Sequence, residues 1–262
     1  MAPRDILHQI SGDLRLALGL LTRLPLPGQP DMARGAAAAW AWPLAGLAPA
    51  LLAGLAIWLT SGLGAGLSAA LALAVMAMVT GAMHEDGLAD TADGLWGGWT
   101  VEQRLEIMKD SRIGSYGALG LGLAVALRAA LLISLPVADD MLFASTAIIA
   151  SACFARALVV AAMALIAPAP AGSGLAKDIG SAVRPRTVVM GALTAFPALA
   201  AFALLDGRAL LATVLAAGVF LIWLRGMLLR RIGGSTGDCL GFAAYAGQLI
   251  LLLAVVALGD GE

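Results

Sequence analysis

Four carboxylates fall within nine positions of the run His84-Glu85-Asp86-Gly87-Leu88-Ala89-Asp90-Thr91-Ala92-Asp93-Gly94. The fifty residues before them, Gly35 to His84, hold no Asp, Glu, Lys or Arg. At 3.6 residues per turn, Asp86, Asp90 and Asp93 occupy i, i+4 and i+7, within about 60° of one another around a helix axis. Glu85 points roughly a quarter turn away. Three carboxylates on one stripe repel one another unless a cation sits among them. Oxygen-only ligands select a hard divalent ion, and Mg²⁺ with retained waters and a phosphate-bearing substrate is the usual case. The competing readings are an acidic, solvated helix start at a membrane edge, and an ion- or proton-carrying carboxylate cluster. Three Asp on one stripe, with Gly87 and Gly94 spaced around them, favour the metal site.

A second polar block, Glu106-Ile107-Met108-Lys109-Asp110-Ser111-Arg112-Ile113-Gly114-Ser115-Tyr116-Gly117, follows on the same connection. Lys109 and Arg112 are three apart and can share a helix face. Cations beside a carboxylate-bound metal neutralise the non-bridging oxygens of a phosphoryl group. Plain membrane anchoring explains Lys109 equally well; Arg112, followed by Gly114 and Gly117, is the better substrate contact. A third block, Gly233-Gly234-Ser235-Thr236-Gly237-Asp238, opens the last apolar segment. Its glycines let backbone N–H groups approach an anion, which makes Ser235 and Thr236 substrate-binding candidates. Asp238 either caps the helix or supplies a fourth carboxylate. Arg128 and Arg156 lie within apolar segments, where ionisable groups are costly and usually face a polar interior. Arg156, near mid-segment, is a phosphate-binding candidate; Arg128 is placed to snorkel or to pair with a carbonyl. A lone His84 at a membrane edge is more often structural than a ligand.

The elements that must hold these residues are membrane helices. The chain is 61% hydrophobic and 13% charged, with a mean hydropathy of +0.92, against about 25% charged for soluble chains. A net charge of −1 gives no sign of nucleic-acid binding. Cys153 and Cys239 sit in or beside apolar segments and look like small buried hydrophobes, with no zinc or disulfide pattern. No cleavable signal peptide is evident, because Arg4, Asp5, His8, Asp13 and Arg15 interrupt the N-terminus. Seven apolar segments, near 40–60, 65–83, 114–136, 141–166, 187–205, 208–225 and 239–258, approach the ~20 residues that cross a hydrocarbon core. Residues 5–24 read as an amphipathic helix at the interface, with Arg15 and Arg23 towards headgroups; an ordinary surface helix is the alternative. Abundant Gly and Ala allow close helix packing.

Lys and Arg concentrate in the N-terminal arm and in the 84–113, 167–186 and 225–238 connections, which places those on the cytoplasmic side. Seven crossings with the N-terminus inside satisfy every loop. The expected fold is therefore all-α: a polytopic integral membrane bundle of about seven transmembrane helices plus the N-terminal interfacial helix. It forms one catalytic domain over 1–262, with an arm at 1–34 and the motif-bearing cytoplasmic connection at 84–113.

The acidic run closely resembles the signature of the cobalamin synthase family, the adenosylcobinamide-GDP ribazoletransferases of bacterial and archaeal membranes. Three further stretches resemble that family in order: Leu21-Thr22-Arg23-Leu24-Pro25, Glu106 to Gly114, and Gly233 to Asp238. The resemblance spans nearly the whole chain. It implies a Mg²⁺-dependent phosphotransfer in which the hydroxyl of α-ribazole, or of its 5′-phosphate, attacks the cobinamide-linked phosphorus of adenosylcobinamide-GDP and GMP leaves. It also implies a multi-pass protein of the bacterial cytoplasmic (inner) membrane. Other corrinoid-assembly enzymes, or a second copy of the chain, are the implied protein partners. With that chemistry, Asp86, Asp90 and Asp93 are the expected metal ligands. Asp93 or Asp238 is the expected proton acceptor, and Lys109, Arg112, Arg156, Ser235 and Thr236 are the expected substrate contacts. A looser similarity links the Asp pattern to CDP-alcohol phosphotransferases, but there Ala-Arg follows the first Asp-Gly pair, whereas Ala89 here precedes Asp90. A cation- or proton-coupled transporter is the other rival, and it predicts inverted repeats that the sequence does not display.

Overall fold

The computed structural model describes residues 3–27, 32–137, 139–170 and 183–259. Part of the 167–186 connection, with Lys177, lies outside them. Among the described residues the fold is all helical, and the sole β pairing is an isolated parallel bridge between Pro168 and Ser235. Helix α1 covers Pro3–Leu21. The stretch Gly35–Leu63, α2, is a chain of short α and 3₁₀ turns ending in a longer helix. There follow α3 (Ala65–Thr80), α4 (Met83–Gly97), the short α5 (Val101–Ile107), α6 (Ser115–Ile133), α7 (Met141–Leu165), α8 (Pro185–Ile232) and α9 (Gly237–Leu258). Five of these are long and apolar enough to cross a membrane, or six if α3 and α4 count as one broken span.

Two of the expected boundaries take a different form. The segment near 65–83 becomes α3, which ends at Thr80, and α4 then departs at 88°. The bend is made by Gly81 (φ 66°) and Ala82 (φ 54°), both left-handed. Gly81 adopts this freely, whereas Ala82 does so at a cost of about 1–2 kcal/mol. Arg23 braces the bend: its backbone N–H donates to the Val79 carbonyl at 2.7 Å, and its side chain packs on Gly81. The stretch Leu21-Thr22-Arg23-Leu24-Pro25 thus ends α1 and docks it on the corner from which the acidic helix starts. Thr22 secures that end, its hydroxyl donating to the Leu18 carbonyl at 2.7 Å.

The expected segments at 187–205 and 208–225 merge into α8, whose 48 residues are helical except at Asp206 (φ −147°, ψ 81°). At 1.5 Å per residue such a rod is about 70 Å long, over twice the hydrocarbon thickness. The break at Asp206, whose carboxylate caps the following turn through Ala209 N–H at 2.8 Å, divides it into two stretches of roughly twenty residues or more.

Helix α7 is the hub, packed against α2, α8 and α9. Small residues allow this: a Cβ on Gly46 would lie 2.7 Å from the Ala152 carbonyl oxygen, and one on Gly247 3.0 Å from the Ala155 Cα. The core forms two layers. One, containing Trp42, Leu95, Leu105, Ile166, Ile232 and Cys239, lies under the polar blocks. The other, containing Ile57, Met76, Leu132, Ile148, Phe202 and Leu251, fills the opposite end. Large apolar side chains such as Leu59, Leu123, Phe196, Leu215 and Ile222 point outward, as a surface solvated by lipid requires. On α1, Asp13 is buried and fixed by Arg34 (2.7 and 2.9 Å) and by the Trp40 indole N–H (2.9 Å). Leu16, Ala17 and Leu21 face inward, while Ile6, Leu7 and Ile10 stay exposed.

Candidate functional site

The acidic run is one continuous helix, α4, so Asp86, Asp90 and Asp93 do share a face. What the sequence left open is which helices meet that face. Helix α9 crosses α4 at Gly87 and Gly241: a Cβ on Gly87 would fall 2.7 Å from the Asp238 carbonyl oxygen and 3.1 Å from the Gly241 Cα. A larger residue at Gly87 forces the helices apart, and one at Gly241, whose Cβ would lie 3.2 Å from the Met83 carbonyl oxygen, crowds the same contact. The crossing brings Asp238 beside the stripe, close enough that the charges of Asp86, Asp238 and Asp93 all act on Asp90. Asp86 is exposed, Asp90 and Asp238 are half-buried, and Asp93 is buried.

Asp238 does not cap α9. Thr236 holds that place, its hydroxyl oxygen accepting from Cys239 N–H at 3.3 Å. The Thr236 hydroxyl also lies 3.3 Å from the Asp238 carboxylate. Ser235 is buried, and its hydroxyl donates to the Ile166 carbonyl at 3.2 Å. Its backbone makes both hydrogen bonds of the bridge to residues 167–169. In the protein as it stands the Ser235 hydroxyl holds the Gly233–Asp238 turn against the end of α7, and the Thr236 hydroxyl starts α9.

Asp93 is held in a way its spacing does not reveal. One carboxylate oxygen accepts the Gly114 N–H at 2.7 Å and the other accepts the Gly117 N–H at 2.8 Å. These are amides at the start of α6, which have no partner within the helix. Asp93 therefore ties the second polar block to the acidic helix. Arg112 stands in the same groove, a depression of about 470 Å³ lined by Asp93, Asp110, Arg112, Gly114 and Tyr116. It is exposed and pairs with Asp110, at 2.6 Å for the shortest contact, and its guanidinium holds the Asp110 carboxyl down at about 2. An exposed pair of this kind exchanges easily for another anion. Lys109 is exposed and lines a neighbouring depression of about 680 Å³ with Trp99, Gln103 and Glu106. That depression shares Gly97, Ile107 and Asp110 with the first.

Arg128 and Arg156 differ from one another more than their sequence positions suggest. Arg128 does not snorkel, and the carbonyl it pairs with is the side-chain amide of Gln248. Buried, it meets Glu85 at 3.5 Å, the Gln248 side-chain oxygen, the Met76 sulfur at 3.2 Å and the face of Tyr245 at 5.1 Å. Sequence reasoning missed this network; Glu85, one position off the stripe, and Gln248, the one amide in an apolar segment, were its available signals. Arg156 is 1% exposed and lies beside His84 on the other side of α4 from the aspartates, away from the groove.

A metal must be held by side chains that converge. Among the described residues no three His, Cys, Asp or Glu side chains form a ready cage. The donor set of Asp86, Asp90 and Asp238 still fits a hard ion of the Mg²⁺ type, which takes one or two carboxylates and completes its shell with waters and phosphate oxygens. Among the described residues these like charges gather with no cation paired to them, which is the second observation in its favour.

Residues 13–256 match the family described as cobalamin-5-phosphate synthase. The chain is 41% identical to the adenosylcobinamide-GDP ribazoletransferase of Bradyrhizobium diazoefficiens, over 98% of each chain. It is 39% identical to the enzyme of the same name from Mesorhizobium japonicum, over 99% of this chain and 97% of that one. For the Brucella anthropi protein of that name the identity is 36%, over 95% and 98%. No solved structure matches. The match runs from α1, which seats the corner before the acidic helix, through nearly all of α9, which brings Asp238 to it, and the chain belongs to the cobalamin-5-phosphate synthase family.

Proposed function

We propose that the chain is a transferase of cobalamin biosynthesis that joins α-ribazole, or its 5′-phosphate, to adenosylcobinamide-GDP and releases GMP. The observation that carries the reading is the Gly87–Gly241 crossing, which adds Asp238 to the carboxylates of α4 beside an open groove that contains Arg112. Phosphoryl transfer asks chiefly for positioning and for neutralisation of charge on oxygen. The acceptor's hydroxyl oxygen forms a bond to the cobinamide-linked phosphorus as the bond from that phosphorus to the GMP oxygen breaks. The hydroxyl proton needs an acceptor. Both oxygens of Asp93 already receive backbone N–H groups, so Asp238 is the better candidate for that role. Arg112, exchanging Asp110 for substrate, and the nearby Lys109 neutralise the diphosphate oxygens. Asp86 and Asp90 would hold Mg²⁺, leaving Asp238 free for the proton; when bound the ion supplies Lewis-acid stabilisation of the departing phosphate.

Purified protein supplied with adenosylcobinamide-GDP, α-ribazole 5′-phosphate and Mg²⁺ is expected to release GMP, and EDTA to stop the release. Absence of GMP from folded protein under these conditions removes the proposal, and release indifferent to EDTA removes the metal from it.

The same reading includes a topology. If both halves of α8 cross and α3 with α4 counts as one span, the crossings number seven, and the Lys and Arg distribution puts the acidic face in the cytoplasm of a bacterial inner membrane. The apolar edge of α1 then lies in the interface. A single cysteine replacing Thr100 should react with an impermeant thiol reagent only from the cytoplasmic side, and one replacing Asp140 only from outside. The reverse pattern inverts the topology. Association with other corrinoid enzymes or with a second copy of the chain belongs to the same proposal, and co-purification from native membranes, or its failure, decides it.

A further inference from the structure

Opposite the carboxylate face lies a cavity of about 50 Å³, lined among others by Trp42, His84 and Arg156. These three come from α2, α4 and α7 and are 3%, 4% and 1% exposed. Around the axis of α4, His84 stands about 120° or more from each of Asp86, Asp90 and Asp93, so this is a different site from the acidic stripe.

Each of the three has a buried nitrogen without a hydrogen-bond partner among the described residues: Trp42 Nε1, both ring nitrogens of His84, and Arg156 Nε. The hydrogen bond found for the Arg156 side chain runs to the Ala152 carbonyl, one turn back on its own helix, at 3.2 Å. Among the described residues it makes no ion pair. The carboxylate whose charge reaches it, Glu85, is already paired with Arg128, and a buried guanidinium without a counter-charge of its own is strongly unfavourable, as are buried donors left unmade. The inventory is also one-sided. Arg and Trp can only donate, and imidazole has at least one donor in any protonation state. Three donors from three helices border one cavity whose other walls are largely apolar, with Leu21, Val159, Leu240 and Ala244; with one donor permanently cationic, they form a receptor for an anion with several acceptor oxygens.

We propose that this cavity is a phosphoryl-binding pocket and that it seats the terminal 5′-phosphate of the acceptor. The shape separates the two substrates. The diphosphate of adenosylcobinamide-GDP is flanked by a bulky group at each end and cannot enter a small, closed cavity. A phosphomonoester is a terminal group and enters end-on. Of the lining residues, Met83 and Gly237 alone reach the surface, and the rest are buried. The mouth therefore opens where the chain runs on from Gly237 to Asp238, which directs the remainder of a seated acceptor towards the proposed proton acceptor. This assignment rests on the transferase reading above and deepens it: the enzyme measures the phosphate of its acceptor at a site separate from the one where phosphorus is transferred.

The test compares α-ribazole 5′-phosphate with unphosphorylated α-ribazole as acceptor for wild type, Arg156→Met and Trp42→Phe. The ratio of kcat/KM for the phosphorylated over the free acceptor should fall about tenfold or more in Arg156→Met, the scale of one lost charge-assisted hydrogen bond. It should fall severalfold in Trp42→Phe, which removes the indole donor but keeps an aromatic ring. An unchanged ratio in the folded variants overturns the proposal. A second measurement needs no turnover and guards against an Arg156 variant that does not fold. In neutral detergent with EDTA and no phospholipid, millimolar inorganic phosphate should raise the melting temperature of wild type, and less so that of Trp42→Phe. No shift in wild type, or an equal shift in the variant, overturns the pocket even if GMP release is normal. Failure of wild type to release GMP with either acceptor, while phosphate still stabilises it, would instead sink the transferase reading and leave the anion pocket standing.

Discussion

Asp238→Asn and Asp90→Asn should each lower GMP release by about a hundredfold or more, the scale on which removing one preorganised electrostatic contact at a reacting phosphorus or acyl centre is felt. The protein should stay folded. Asparagine matches the aspartate in shape, so the close crossing at Gly87 and Gly241 is untouched. For Asp238 the structure removes the ambiguity that the sequence left, because the cap of α9 belongs to Thr236 and losing the Asp238 charge leaves it in place. Stability should move the opposite way from activity. With EDTA present, taking one negative charge out of a group of neighbours that repel one another should leave the melting temperature in detergent unchanged or higher. Near-normal GMP release from Asp238→Asn would return that residue to a passive place at the helix start. A sharp fall in melting temperature would mean that the carboxylate is structural.

Asp93→Asn should show the reverse signature on the same helix. The amide has one acceptor oxygen where the carboxylate has two, and its NH₂ would face one of the two backbone donors, Gly114 N–H or Gly117 N–H. Leaving that buried donor unmet costs roughly 1–3 kcal/mol, and losing a negative charge at the start of α6 adds a few tenths to about 1 kcal/mol. Thermal unfolding in detergent should therefore fall measurably for Asp93→Asn and not for Asp90→Asn. Activity should fall too, because the segment from Arg112 to Gly117 is no longer pinned beside the groove. Equal melting temperatures for the two variants would show that the two hydrogen bonds do not matter, and Asp93 would then belong with its neighbours as a ligand or base.

The contrast between these neighbouring aspartates marks where sequence reasoning stops. The spacing of Asp86, Asp90 and Asp93 was enough to put them on one face, since helix periodicity is a local property and α4 is continuous from Met83 to Gly97. Apolar run lengths likewise located the long helices, and the gap between the segments at 187–205 and 208–225 marked the break that Asp206 makes in α8. The family followed from the ordered motifs and was matched over residues 13–256. What periodicity cannot carry is which other helix presses on each face, because that depends on contacts between residues far apart in the chain. Gly87 meets Gly241, and so Asp238 joins the carboxylates; Gly114 and Gly117 arrive over Asp93, and so it becomes a tether. The 88° corner is similarly hidden, since its second residue is an alanine in a left-handed conformation, held there in part by Arg23 from the end of α1. Arg128 and Arg156 look alike as cations in apolar segments, yet one meets Glu85 and Gln248 while the other meets a cavity. Residue type and spacing determined what chemistry was available, and the close approach of small residues on crossing helices decided which groups are free to perform it.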